Sequence, residues 1–169
     1  MLTEALVLFI LPLLLIAAAG WDIASFTIPN FLTATLTVLF AVFAVAAGLS
    51  WAAIGWHLLA GAIGLTIGFI LFALGYVGGG DAKLFAAVAL WLGFGDLLPY
   101  ALIASAFGGV LTLAVLMARK WLIPVWMLRY GWVLKLHDSK SGIPYGVALA
   151  AGAFFLLPDT EIFRLAAGA

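Results

Sequence analysis

Long apolar stretches, separated by short polar breaks, limit this chain's fold more than any other feature. Six stretches are long enough, or nearly so, for a helix to cross a bilayer, which takes roughly 20 residues. They are residues 2–20, 31–49, 52–76, 81–94, 97–118 and 143–157. Charged residues make up only 8% of the chain, against about a quarter in soluble domains. The sequence therefore predicts an all-α, polytopic integral membrane protein with about six transmembrane helices, the fourth short and partly buried.

The first apolar stretch also has features of a secretory signal, because three alanines follow it at 17–19. No Lys or Arg precedes it, however, and cleavage there would leave Asp22 almost at the new terminus. We therefore expect this stretch to be retained as the first transmembrane helix. We predict one membrane-embedded domain over residues 1–169.

The placement of the basic residues predicts the orientation. With the N-terminus outside, the inner connections are 21–30, 77–83 and 119–142. They contain every Lys and Arg except Arg164, namely Lys83, Arg119, Lys120, Arg129, Lys135 and Lys140. Because cytoplasmic loops carry an excess of Lys and Arg, the sequence predicts an N-out, C-out, multi-pass protein of the cell inner membrane.

Segment 119–142 is the one long polar connection. Trp121, Trp126 and Trp132 alternate there with basic residues, a pattern typical of an amphipathic segment that lies on the inner leaflet. We predict an interfacial anchor that contacts membrane lipids. A surface that guides a membrane-bound substrate is the alternative. The formal net charge of zero gives no indication of a nucleic-acid partner.

Two aspartates stand out by position, since Asp22 follows the first stretch and Asp81 begins the fourth. Ionisable groups at membrane depth are functional candidates by default. Asp81 could serve as a helix N-cap, whereas Asp22 lies near a helix C-terminus, where the dipole disfavours negative charge. Two adjacent carboxylates can share one proton, so that one activates water and the other polarises a peptide carbonyl. This chemistry needs neither a cofactor nor a metal, and the chain has no cysteine to act as a nucleophile.

The residues around the aspartates suit an extended substrate. Gly78, Gly79 and Gly80 precede Asp81, and glycines allow another backbone to approach closely. Pro29 and Asn30 begin the second helix, where proline fits well. We expect Lys83 to reach the inner surface and to tune Asp81. His57 and His137 lie away from both aspartates, and we assign them packing or interfacial roles.

Together these motifs resemble the type IV prepilin peptidases, membrane aspartic proteases with a Gly-x-Gly-Asp signature. The matching segments are Gly78-Gly79-Gly80-Asp81-Ala82-Lys83, Asp22 followed by Ile28-Pro29-Asn30, and Ile143-Pro144-Tyr145-Gly146. The resemblance implies that Asp22 and Asp81 are the catalytic pair. It also implies that the partner is the leader peptide and transmembrane helix of a prepilin or pseudopilin. We assign substrate contacts to Gly78, Gly79, Gly80, Lys83, Pro29 and Asn30.

The chain also departs from the longer members of that family. Those carry a cytoplasmic insertion with a four-cysteine metal site, associated with N-methylation, and this chain has no cysteine. It is similar to the short forms of Flp/Tad-type pilus assembly, which implies peptidase activity without methyltransferase activity. Residues 23–27 lack the basic residues common in short forms, so an archaeal preflagellin-type peptidase stays open.

Two other classes of membrane protein also use such aspartates. Presenilin-like proteases pair a Gly-x-Gly-Asp with an aspartate inside a helix, and the expected loop position of Asp22 argues against them. A small proton- or cation-coupled transporter would also use paired carboxylates. Such a transporter should show repeated, interrupted helices, and the sequence has no convincing repeat.

Overall fold

The computed structural model describes residues 1–168, which form eight α-helices, with no strand in this range. The fold class predicted from the sequence is confirmed. Residues Ala5–Ile10 of the first helix have π-helical hydrogen bonding. The helices are α1 (Leu2–Ser25), α2 (Asn30–Ala46), α3 (Trp51–Ala73), α4 (Gly79–Leu92), α5 (Phe94–Ala118), α6 (Gly131–His137), α7 (Tyr145–Leu156) and α8 (Glu161–Ala167).

Local sequence signals mark several helix ends. Ser50 caps α3 by accepting a hydrogen bond from the Ala53 N–H at 3.2 Å, as expected for an N-cap serine. Pro29 and Pro144 stand directly before α2 and α7. Gly93, with φ of +87°, separates α4 from α5 in a conformation that favours glycine. These residues explain why the predicted segment ends lie close to the observed ones.

The end of α1 differs from the prediction. We expected a polar break from residue 21, but the helix continues through Asp22 to Ser25 and stops at Phe26, whose φ is +59°. No proline or glycine interrupts residues 21–28, so nothing ends the helix before the turn that leads to Pro29. Asp22 therefore lies inside a helix rather than in a loop.

Three helices among the described residues are long and apolar enough to cross a membrane: α1, α3 and α5. Helices α7 and α8 would add a fourth span if they are taken as one helix bent by 58°. Helix α2 is mostly apolar and has 17 residues, and α4 has only 14. Both are shorter than the roughly 20 residues that a membrane span needs. The all-α membrane fold holds, while the expected number of six spans is not confirmed.

Helix α4 forms the centre of the helix packing, against α2, α3, α5 and α7. Nine of its 14 residues are buried, so this short helix is largely surrounded by the other helices. Gly64 and Gly68 of α3 face it, and a Cβ at Gly68 would lie 2.9 Å from the Cα of Ala82. Small residues that allow such close approach are typical of helix pairs in membranes. This packing fixes the N-terminus of α4, which carries Asp81, beside the ends of α1, α2 and α7.

Candidate active site

Asp22 lies in the last turn of α1, and its side chain is buried, with 4% exposed. Its Oδ2 accepts a hydrogen bond of 2.7 Å from the backbone N–H of Gly146. Gly146 is the second residue of α7, and the first N–H groups of a helix have no partner within it. The positive end of the α7 dipole therefore faces the carboxylate, which explains how a negative charge is tolerated at the C-terminal end of α1.

Because Asp22 is helical, one contrast drawn from the sequence is wrong. The loop position of Asp22 was expected to separate the chain from presenilin-like proteases, and the structure removes that distinction.

Asp81 is the third residue of α4 and is half-buried. Its Oδ2 accepts a hydrogen bond of 3.1 Å from the N–H of Gly78, the residue that precedes the helix. The predicted capping role is therefore present in a modified form, since Asp81 satisfies the N-terminal N–H from within the first turn. The side chain also lines a cavity, so one carboxylate combines a structural contact with an accessible face.

The fold brings the two aspartates together. Their carboxylates are close enough to repel each other electrostatically, and the Gly146 N–H lies beside Asp81 as well as bonding to Asp22. Within residues 1–168 neither carboxylate forms an ion pair. The pair thus resembles two acids held by backbone N–H groups, the arrangement from which a shared proton is expected.

The Gly-x-Gly-Asp pattern has a direct steric explanation here. A Cβ at Gly78 would lie 2.9 Å from the Asp81 carboxylate, and a Cβ at Gly80 would lie 3.0 Å from Ile28. At Gly79 the nearest atom is a ring carbon of Phe72 at 3.4 Å, an ordinary contact. The first and third glycines therefore make room for parts of the site itself, while the middle position has space for a methyl group.

Ile28 is a site residue whose role the sequence did not reveal. It is 6% exposed and contacts both Gly80 and Gly146, with its Cδ1 2.8 Å from an ideal Cβ at Gly146. The Ile28 side chain therefore packs between the glycine segment before Asp81 and the N-terminal end of α7. The only sequence signal was its place in the Ile28-Pro29-Asn30 motif.

The remaining predicted contacts lie around this pair. Lys83 Nζ donates to Asn30 Oδ1 at 2.8 Å, which connects the first turn of α2 to the beginning of α4. The amine therefore contacts Asn30, and no bond to Asp81 is present. Pro29 precedes Asn30 at the helix start. Substrate contact by Gly78, Gly79, Gly80, Lys83, Pro29 and Asn30 stays a prediction.

Segment 119–142 packs against the site and contains α6. Lys135 Nζ lies 3.4 Å from the Ser25 carbonyl at the end of α1, and Arg119 donates to three carbonyls of the segment. The His137 Nδ1 contacts the carbonyl of Val133 in its own helix. His57 contacts the Leu90 carbonyl at 2.8 Å, at the end of α4 opposite Asp81. Neither histidine joins the aspartates, and within residues 1–168 no group of three or more His, Asp or Glu is arranged to hold a metal.

A cavity of about 260 Å³ begins at Asp81 and extends between α3 and α5. Phe85, one turn farther along α4, lines it together with Leu71, Ala101 and Ser105. The walls are almost entirely apolar. An engineered apolar cavity of about 150 Å³ holds a benzene ring, so this space is large enough for one large apolar side chain next to the carboxylate.

Comparison with protein families agrees with this geometry. A family model described as "Type IV leader peptidase family" matches residues 9–113, which is more than half of the 169 residues. The matched region contains both aspartates, while Gly146 lies beyond it. Among curated proteins and solved structures, none matches the chain significantly. The breadth of the family match and its inclusion of both aspartates show that the chain belongs to the type IV leader peptidase family, which supports a leader peptidase function.

Proposed function

We propose that the chain is an aspartic endopeptidase of the inner membrane that removes the leader peptide from Flp-type prepilins at the cytoplasmic face. The observation that carries this proposal is the meeting of Asp22 and Asp81 at the N-terminus of α7. Two segments far apart in sequence supply the carboxylates, and neither is neutralised by a cation within residues 1–168. Each carboxylate also accepts a hydrogen bond from an N–H at a helix N-terminus, but that structural role does not require the two carboxylates to lie near each other.

The pair supplies general acid–base catalysis. One carboxylate removes a proton from a water molecule as that water attacks the scissile carbonyl carbon. The partner carboxyl donates its proton to the carbonyl oxygen, and proton transfer to the amide nitrogen then releases the new amino terminus. Because the two groups titrate as a unit, the roles belong to the pair. The N–H groups of Gly78 and Gly146 orient the two carboxylates.

The cavity supports a substrate that is apolar beside the cleavage site. It runs from Asp81 along the first turns of α4 towards the interior of the helix bundle. A peptide that enters the membrane would place apolar side chains there while its polar leader stays outside. The N-out, C-out orientation indicated by the basic residues puts this end of the bundle at the cytoplasmic face.

The same geometry weighs against a cation or proton pathway. The space next to Asp81 is lined mainly by apolar side chains, whereas intramembrane ion pathways are lined by polar and ionisable groups.

The absence of cysteine supports peptidase activity without the N-methylation that is associated with the four-cysteine insertion.

The test is cleavage of a purified Flp-type prepilin by the protein in lipid nanodiscs, with an archaeal preflagellin as the comparison substrate. We expect wild type to release the leader and both Asp22→Asn and Asp81→Asn to lose about 10²–10⁴-fold in kcat, which is the contribution of a general acid–base group. Asp159→Asn is the matched control, because this aspartate is exposed and lies in the turn between α7 and α8, after the last residue of the site. Normal turnover by either site variant would refute the proposed pair.

A further inference from the structure

Arg119, at the end of α5, makes an unusual set of contacts with segment 119–142. Its Nε donates to the Leu136 carbonyl at 2.7 Å, and its Nη2 donates to the carbonyls of Ser141 and Gly142 at 3.0 and 3.1 Å. The side chain is half-buried and forms no ion pair within residues 1–168. The Arg119 guanidinium thus donates hydrogen bonds to the last turn of α6 and to the loop that leads into α7.

The residues held by Arg119 lead directly to the candidate active site. Only Ile143, Pro144 and Tyr145 separate the Gly142 carbonyl from Gly146, whose N–H bonds to Asp22. Proline restricts its own φ and the conformations of the residue before it, so this connection is stiff. A shift of the loop at Gly142 is therefore passed on to the first turn of α7.

We propose that Arg119 is a positioning residue for the reaction, because it fixes the entry to α7 and with it the Gly146 N–H that orients Asp22. This inference rests on the proposed peptidase function. The family match ends at residue 113, and the sequence marked Arg119 only as one of several basic residues of a membrane-surface loop.

The chemistry of the side chain supports this role. A guanidinium presents several donors in a rigid plane, so it can hold carbonyls from two segments at once, whereas a lysine ammonium is a single flexible point. The adjacent Lys120 is exposed and forms no side-chain hydrogen bond in the described chain. The two neighbouring cations therefore differ in contacts but not in charge, which makes Lys120 a matched control.

The experiment compares wild type, Arg119→Gln, Arg119→Lys and Lys120→Gln for prepilin cleavage in nanodiscs. A misplacement of about 1 Å costs about 10²-fold in rate, so we expect Arg119→Gln to lower kcat by about 10- to 100-fold. The loss should appear equally in kcat and kcat/KM, because Asp22 acts in the chemical step. Arg119→Lys should fall between wild type and Arg119→Gln, and Lys120→Gln should match wild type.

A double-mutant cycle separates positioning from general destabilisation. If Arg119 acts through the Gly146–Asp22 contact, Arg119→Gln should slow a Gly146→Ala enzyme much less than it slows wild type. Additive losses, or a change in KM alone, would overturn the proposal. Should Arg119→Gln fail to fold, the Arg119→Lys variant carries the same comparison.

Hydrogen exchange provides a readout that does not depend on activity. The Gly146 amide should exchange faster in Arg119→Lys than in wild type, while the amides of α3 keep their wild-type rates. Unchanged exchange at Gly146 would contradict the inference even if cleavage were lost. Conversely, absence of cleavage by wild type together with faster exchange in the variant would refute the proposed function and leave the positioning role intact.

Discussion

Gly146→Ala tests the site most directly, because it adds one methyl group at the contact between α7 and Asp22. An ideal Cβ at this position would lie 2.8 Å from both Asp22 Oδ2 and Ile28 Cδ1, and 3.1 Å from Asp22 Cβ. Favourable contacts between heavy atoms lie near 3.5–4.0 Å. The carboxylate and the isoleucine must therefore recede by about 0.7 Å or more, and the hydrogen bond of 2.7 Å is lost or lengthened.

Two effects of different size follow from this displacement. Overpacking of a well-packed core costs about 1–3 kcal/mol of stability. A misplacement of about 1 Å at a reacting group costs about 10²-fold in rate. We therefore expect Gly146→Ala to remain folded, with a lower unfolding temperature, and to lose about 100-fold in kcat for prepilin cleavage.

Gly109→Ala in α5 is the control, since a Cβ there meets nothing within 4 Å and the residue is exposed. The double variant Gly146→Ala/Ile28→Val separates the two effects, because valine lacks the Cδ1 atom but leaves the clash with Asp22. It should recover part of the lost stability without recovering the rate. Wild-type kcat in a folded Gly146→Ala enzyme would refute the assignment of this N–H to the orientation of Asp22.

Three further predictions follow from the contacts around Asp81. Gly80→Ala should reduce kcat by about 10-fold or more, since its Cβ would lie 3.0 Å from the Cβ of Ile28. Gly79→Ala, whose Cβ would lie 3.4 Å from its nearest neighbour, should retain activity, and the kinetics of both variants check this. Ser105→Leu should narrow the cavity and lower kcat/KM selectively for substrates with a large apolar residue beside the cleavage site, by about 10-fold. Ala106→Leu, on the same helix but outside the cavity, should leave that ratio unchanged. Lys83→Ala should remove its bond to the start of α2 and slow cleavage less than loss of either aspartate; an equal loss would show that the amine takes part in the chemistry.

The sequence by itself predicted that the chain lies in a bilayer, and it identified the residues that are candidates for catalysis. Apolar stretches and the scarcity of charge are local properties of the chain, and they require helices in a bilayer whatever the packing. The two aspartates, the glycines before Asp81 and the Ile28-Pro29-Asn30 motif could likewise be recognised from order and spacing. Helix starts were predictable where Ser50, Pro29 and Pro144 mark them.

Tertiary structure alone decided how these parts meet. Asp22 was expected in a loop, because a polar residue after an apolar run suggests an end, yet the N-terminus of α7 stabilises it inside a helix. That hydrogen bond joins residues 124 positions apart, and the Arg119 contacts depend on how the loop folds back. The number of spans depends on burial as well, since α4 is enclosed by other helices and needs no full membrane length. Contacts between distant segments arise from packing, which periodicity and motif spacing do not encode.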